Sequence, residues 1–124
     1  MLRILHVDDE PDIREVAAMS LGIDPEIEVR SAASGAEALT VLESDWRPDV
    51  ILLDVMMPEL DGPGTLERLR QLPHHEKTPV IFMTARAQAQ EKSRFLDLGA
   101  IAVIVKPFDP MSLAGQVRDH LDAW

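Results

Sequence analysis

The sequence predicts an α/β domain built on a parallel five-stranded sheet, with helical crossovers on both sheet faces. Two observations carry that expectation. Short β-branched or Leu-rich runs alternate with helical patterns from end to end, with no repeat, low-complexity tract or Gly/Ser linker between them. Three of these runs are continuously apolar rather than alternating, as strands buried on both faces must be. A chain of 124 residues suits one domain with one core, so residues 1–124 are expected to form a single unit.

Each element has its own signal. The first strand spans Arg3 to Val7. After it, Pro11 suits the first helical position, Ile13, Val16, Ala17, Ser20 and Leu21 repeat on one helical face, and Gly22 is the stop. A second strand covers Ile27 to Ala32. Ser34 and Glu37 are then spaced as a capping box ahead of Ala38, Val41 and Leu42. The third strand is Val50 to Leu53, followed by a helix from near Pro63 to about Leu72. The fourth strand, Val80 to Met83, leads to a helix over Ala87 to Leu98 before Gly99. That helix has the weakest apolar stripe, since Ala89, Phe95, Leu96 and Leu98 anchor mainly its C-terminal half. Its first turns are therefore expected to be the most mobile helical stretch. The fifth strand, Ala102 to Val105, precedes a helix beginning at Asp109-Pro110 with Leu113, Ala114, Val117 and Leu121 on one face.

Composition narrows the function. There are 22 Asp+Glu against 12 Lys+Arg, a net charge of −10, with 46% hydrophobic residues and no Cys. That apolar content supports a folded core, so the acidity is not that of a disordered tail. Without cysteine there is no disulfide framework, thiolate metal site or thiol nucleophile. Without a basic run there is nothing to displace counterions from a nucleic acid backbone. The longest apolar stretch, Ala100 to Val105, is too short to cross a bilayer, and the N-terminus runs into acidic residues rather than a cleavage site, which reads as cytoplasmic.

In parallel sheets of this kind, ligands bind beyond the carboxyl ends of the strands. The residues there are Asp8 and Asp9 after the first strand, Asp54 after the third, Thr84 after the fourth and Lys106 after the fifth. Neighbouring carboxylates repel, and a buried unpaired charge costs several kcal/mol, so such a cluster needs cations. Lys106 offsets one charge. The remainder suits a hard divalent cation such as Mg²⁺, held by carboxylates, water and phosphate oxygens. The same parts suit phosphoryl chemistry, in which a carboxylate attacks an activated phosphoryl group while a Lys, a Thr hydroxyl and Mg²⁺ bind the transferring oxygens. Taken singly, an Asp at a strand end is more often a turn former or helix cap, and Thr84 more often an N-cap. Their placement at four strand ends is what points to a site. His74-His75 is read as a solvated loop and His6 as a packed core residue. Neither GxxxxGK[ST] nor GxGxxG is present, and the side chains of Met56-Met57 are read as packing.

Asp8-Asp9, the segment Asp49 to Pro58 around Asp54, Asp61-Gly62, Met83-Thr84-Ala85 and Lys106-Pro107-Phe108 together resemble the receiver domain of two-component response regulators. The resemblance covers essentially the whole chain, in the family's motif order. It implies a flavodoxin-like (βα)5 sandwich of strand order 2-1-3-4-5. It implies that Asp54 accepts a phosphoryl group from a sensor histidine kinase, a histidine phosphotransfer protein or a small phosphodonor. Asp9 and Asp54 would give carboxylates to Mg²⁺ and Met56 its backbone carbonyl, while Asp8 acts through a metal-bound water. Thr84 and Lys106 would contact phosphoryl oxygens, and the Lys106-Pro107 bond would be cis.

The resemblance further implies a switch that repacks the surface of the fourth helix, fifth strand and fifth helix, where a downstream protein or a missing output domain would bind, with homodimerisation on phosphorylation as one outcome. No turnover of an external substrate is expected, nor direct nucleic acid binding or membrane insertion. The chain departs from the family at Val103, where Tyr or Phe usually stands, so signalling is expected to run through backbone and helix shifts. Two other readings are an Mg²⁺-dependent phosphatase with an aspartyl phosphate intermediate, whose DxDxT motif is missing here, and a degenerate receiver that acts without phosphorylation.

Overall fold

The computed structural model describes residues 1–86 and 88–124. Five parallel strands, β1 (Leu2–Val7), β2 (Ile27–Ala32), β3 (Val50–Asp54), β4 (Val80–Thr84) and β5 (Ala102–Val105), form one sheet of order β2-β1-β3-β4-β5. Helices α1 (Pro11–Leu21), α2 (Gly35–Leu42), α3 (Gly62–Leu69), α4 (Ala89–Asp97) and α5 (Leu113–Ala123) complete it. The flavodoxin-like sandwich of order 2-1-3-4-5 expected from the resemblance is the observed fold.

Side-chain alternation along each strand builds two cores. On one face Leu5, Val7, Ile51, Leu53 and Phe82 pack with Ala38 and Leu42 of α2, Leu66 and Leu69 of α3, and Phe95 of α4. On the other, Ile4, Leu52, Ile81, Met83 and Ile104 pack with Ala17 and Leu21 of α1 and Leu113 and Val117 of α5. β3 and β4 are buried along their whole length. That explains their unbroken apolar sequence.

Helix ends follow local chemistry. Pro11 opens α1 behind Glu10, which makes no side-chain cap, and Ser34 caps α2 by accepting the Glu37 N–H at 3.0 Å. Asp61 caps α3 through the Gly64 N–H at 2.8 Å. Three helices are shorter than the sequence suggests. α3 stops at Leu69, where the Arg70 guanidinium turns to the carbonyls of His75 and Thr78 at 3.1 and 2.6 Å. α5 begins at Leu113 because Asp109 Oδ1 takes the Met111 N–H at 2.9 Å in a tight turn, while Ser20 Oγ of α1 donates to the Pro110 carbonyl. α4 runs from Ala89 to Asp97; the expected start at Ala87 lies outside the described residues.

Two apolar expectations change. Val16 lies on the solvent side of α1 with Met19 rather than in the core, and on α4 only Phe95 is buried while Leu96 and Leu98 are exposed. The α4 stripe is thus a single anchoring ring, set 5.0 Å from the ring of Phe82.

His6 is a packed core residue as expected. Burial, opposed in part by the Asp8 charge, lowers its pKa to about 4, and both ring nitrogens lack a hydrogen-bond partner among the described residues. His75 is not a solvated loop residue. Its Nδ1 lies 2.9 Å from Thr78 Oγ1 and its Nε2 3.0 Å from the Leu42 carbonyl, so it ties the end of α2 to the α3–β4 loop. Burial lowers its pKa, which keeps the folded state short of a proton that the unfolded chain binds. Stability therefore falls as pH drops below the unfolded value of 6.5. Urea titrations across this range are expected to show a shallower loss in His75→Gln than in wild type. Identical pH slopes would remove His75 from that role.

Candidate functional site

Three of the expected site residues meet through strand alternation. Asp8, Asp54 and Lys106 each continue the stripe of their strand that faces α1 and α5, since Ile4, Leu52 and Ile104 lie in that core. Lys106 Nζ donates to Asp8 Oδ2 at 2.7 Å and lies 3.1 Å from Asp54 Oδ1. Asp8 is fully buried, Asp54 nearly so, and the Lys106 side chain is 16% exposed. Asp8 Oδ1 takes the Glu10 N–H at 2.9 Å, so both of its oxygens are engaged within the protein.

Thr84 continues the opposite stripe, that of Val80 and Phe82, and so faces the α3/α4 side. Its Oγ1 accepts the Arg86 N–H at 3.1 Å. The backbone nevertheless joins it to the cluster, because the Lys106 N–H donates to the Thr84 carbonyl at 2.8 Å. Asp9 is half-buried; its carboxylate shares a 4.8 Å group with those of Asp8 and Glu10. Met56 projects its side chain into solvent, and its backbone N–H lies near enough to the Asp54 carboxylate to pull its pKa down. The Lys106-Pro107 peptide is cis, as expected.

The electrostatics follow from this packing. Burial raises the Asp54 pKa and the Asp8 charge adds to it, against the opposing pull of Lys106 and the Met56 N–H. Burial alone would lower Lys106, but its hydrogen bond to Asp8 and the Asp54 charge outweigh that and raise its pKa. Two buried carboxylates against one ammonium leave a net negative pocket, and Asp9 and Glu10 extend it. A hard, oxygen-only donor set with surplus negative charge fits a divalent cation of the Mg²⁺ class.

Three contributors carry no chemical signal of their own in the sequence. Arg14 on α1 donates to the Asp8 carbonyl at 2.8 Å and so pins the Asp8-Asp9 turn. Glu10 joins the carboxylate group, and only its adjacency to Asp8-Asp9 hinted at this. Gly62 presses on the end of β3: a Cβ there would lie 2.5 Å from the Asp54 carbonyl oxygen.

Comparisons with known proteins agree with this geometry. The family model "Response regulator receiver domain" matches residues 4–118. The chain is similar to the "Probable transcriptional regulator ycf27" of Porphyridium aerugineum, 39% identical over 119 residues, which are 96% of this chain and 48% of that protein. It is also similar to a "Probable cyclic di-GMP phosphodiesterase" of Vibrio cholerae, 36% identical over 95% of this chain and 26% of that protein. The chain thus spans about half the length, or less, of these curated relatives. Among solved structures, the chemotaxis response regulator CheY4 of Vibrio cholerae superposes with a TM-score of 0.88 at 32% identity, covering 97% of this chain and 98% of that one. The structure of the Francisella response regulator 1452 receiver domain gives a TM-score of 0.85 at 30% identity, covering 99% and 98%. This chain belongs to the receiver-domain family of two-component response regulators.

Proposed function

We propose that residues 1–124 act as one phosphoacceptor unit that takes a phosphoryl group onto Asp54 and converts it into a change of surface. The observation that carries this is the direct contact of Lys106 with both Asp8 and Asp54, a lone cation between two buried carboxylates at the mouth of the sheet. Asp54 attacks the phosphorus of a phosphohistidine on a sensor kinase or phosphotransfer protein. An O–P bond forms to Asp54 as the P–N bond to the donor breaks. The Met56 N–H orients the attacking carboxylate, and Lys106 binds an oxygen of the transferred group. Asp9, Asp54 and the Met56 carbonyl would hold Mg²⁺, with Asp8 reaching it through water. Held there, such an ion would supply charge neutralisation on the transferring oxygens.

Transfer adds about 1.5 to 2 negative charges to a pocket already rich in carboxylates. Thr84 then turns from Arg86 toward the new oxygens, and the β4–α4 connection moves with it. α4 is held by one buried ring, so this small shift repositions it. Val103 is half-buried against the core and has no ring to swing, which supports a readout through backbone and helix shifts. The surface of α4, β5 and α5 would present the result to an output domain or a separate protein target in the cytoplasm.

Intact-mass detection after incubation with acetyl phosphate and Mg²⁺ tests the reading. Wild type is expected to gain one phosphoryl group and Asp54→Ala none, with amide shifts in α4 and β5 of wild type only. No gain in wild type, with no Mg²⁺ binding, would overturn it. A second expectation concerns lifetime. Met56 and Arg86 flank the approach of water to Asp54, and neither has a carboxylate or amide to orient it. Met56→Asn supplies an amide there and should shorten the phosphoryl half-life several-fold; an unchanged half-life would count against that path.

A further inference from the structure

Met56 and Met57 follow β3 side by side in opposite surroundings. Met57 is 7% exposed and belongs to the α2/α3 core, whereas Met56 is 79% exposed. Packing, expected from sequence for both side chains, therefore accounts for Met57 alone. An apolar side chain left almost wholly in water gains none of the stabilisation that burial gives.

The position of Met56 sets it apart from the other exposed methionines. Met1, Met19, Met56 and Met111 are exposed, while Met57 and Met83 are buried. Met19 belongs to an apolar patch with Val16, Ile23 and Pro110, and Met111 lies in the turn before α5. Only Met56 stands two residues from Asp54, where it lines an open cavity of about 250 Å³ together with Val55, Thr84 and Arg86. Thr84 Oγ1 accepts the Arg86 N–H in that same wall. The sulfur atom is thus part of the rim beside the acceptor, open to small solutes.

The chain contains no cysteine, so no thiolate competes with these thioethers for an oxidant. A thioether needs no deprotonation to react. Its sulfur lone pair attacks the O–O bond of hydrogen peroxide, an S–O bond forms as the O–O bond breaks, and the displaced oxygen leaves as water. Sulfur is oxidised by two electrons and the peroxide is reduced by two. The sulfoxide exchanges a flexible apolar tip for a polar oxygen that accepts hydrogen bonds.

We propose that Met56 is a redox-sensitive modification site, whose oxidation by a hydroperoxide shortens the life of a phosphoryl group on Asp54; this rests on Asp54 being the phosphoacceptor. The new oxygen accepts a hydrogen bond from water entering beside Asp54 and turns the water's lone pair toward phosphorus, which the thioether of Met56 and the guanidinium of Arg86 do not do. The change is reversible. A methionine sulfoxide reductase takes the oxygen off as water while two thiols pass to a disulfide.

The test exposes the chain to limiting hydrogen peroxide, quenches it with free methionine, and loads it with acetyl phosphate and Mg²⁺. Peptide mass mapping should show one added oxygen on Met56, Met19 and Met111 and none on Met57 or Met83. The phosphoryl half-life of treated wild type should fall several-fold and return after incubation with the reductase and a thiol. Met56→Leu, compared with itself before and after peroxide, should keep one half-life, while a Met19→Leu, Met111→Leu chain should respond as wild type does. Three results would overturn the proposal: Met56 staying reduced while Met19 and Met111 oxidise, an unchanged half-life in treated wild type, or an equal loss in Met56→Leu. Untreated wild type that takes up no phosphoryl group would overturn the phosphoacceptor function as well, whereas normal uptake with an unchanged half-life overturns only the role of Met56.

Discussion

In metal-free buffer at neutral pH, Lys106→Met should unfold about 3 kcal/mol more easily than wild type, the cost of stripping one partner from a buried ion pair. The ammonium bridges Asp8 at 2.7 Å and Asp54 at 3.1 Å, and Asp8 has no access to water. Met keeps the aliphatic stem, so lost packing contributes little. The penalty has a pH signature. Without Lys106 the Asp54 carboxyl, already raised by burial and the Asp8 charge, loses its opposing cation and titrates still higher, so the folded state binds the extra proton and the deficit shrinks as pH falls. Asp54→Asn should have the opposite sign, stabilising the domain, because it removes a charge that burial and Asp8 already disfavour. The two changes share a contact and should not add: Asp54→Asn should recover part of the Lys106→Met loss. Both variants should fail to retain a phosphoryl group. Chemical denaturation in EDTA, from pH 5 to 8, checks all of this, and an undiminished stability of Lys106→Met would show the pair to be energetically idle.

The same residues show how much of the site was legible beforehand. Asp8, Asp54 and Lys106 stand out in sequence because charged residues directly after apolar runs are costly unless they work together. Their parity within each strand then carries them to one face, so a correct strand assignment was enough to bring them together. Thr84 was placed at the right rim but on the other stripe, which counting strand ends could not reveal. Arg14 was not legible at all, and Gly62 stood out only within the Asp61-Gly62 motif, with no sign of the contact it makes. The first acts through a carbonyl contact to a residue six positions away, and the second through a close approach set by tertiary packing. His75 was misread for a related reason: between Pro73 and Glu76 its neighbours look like a loop, while its partners are Thr78 and the distant Leu42 carbonyl. The helix boundaries that moved, at Arg70 and Asp109, did so where side chains or tight turns compete for backbone groups.

Charge explains why so acidic a chain tolerates this pocket. Most of its acidic residues are exposed or half-buried, where water screens them. Among the acidic side chains of the described residues only Asp8 and Asp54 are buried, and each is in contact with Lys106. A single cation therefore decides whether the rim is neutral enough to fold and negative enough to attract a divalent metal. That balance is what a phosphoryl group added under the proposed function would upset.

The backbone under the acceptor is the other point of control. Gly62→Ala should destabilise the domain by about 2 to 3 kcal/mol, because the added Cβ overpacks a site with nothing to yield. It would sit 2.5 Å from the Asp54 carbonyl oxygen, 2.9 Å from Val55 Cα and 3.1 Å from Phe82 Cε1. Two of these are backbone atoms at the end of β3, and the third belongs to a fully buried ring. The Gly62 N–H also donates to the Val55 carbonyl at 2.9 Å, which holds α3 against that strand. Relief therefore has to come from moving α3 away or displacing Asp54, and the second shifts its carboxylate relative to Lys106. Productive geometry is lost with displacements on the order of 1 Å, so phosphoryl incorporation should slow by about tenfold or more even below the melting temperature. Gly115→Ala is the matched comparison. It lies inside α5 with nothing beyond its own helix backbone and chain neighbours within 4 Å of its added Cβ among the described residues, so the helical preference of Ala should stabilise by about 0.5 to 1 kcal/mol and leave incorporation unchanged. Opposite signs for the two substitutions, with the rate defect confined to Gly62→Ala, would tie the acceptor's alignment to the seating of α3. A Gly62→Ala domain of normal stability and normal rate would show that β3 has slack to give, and that the close approach of α3 is not what aligns Asp54.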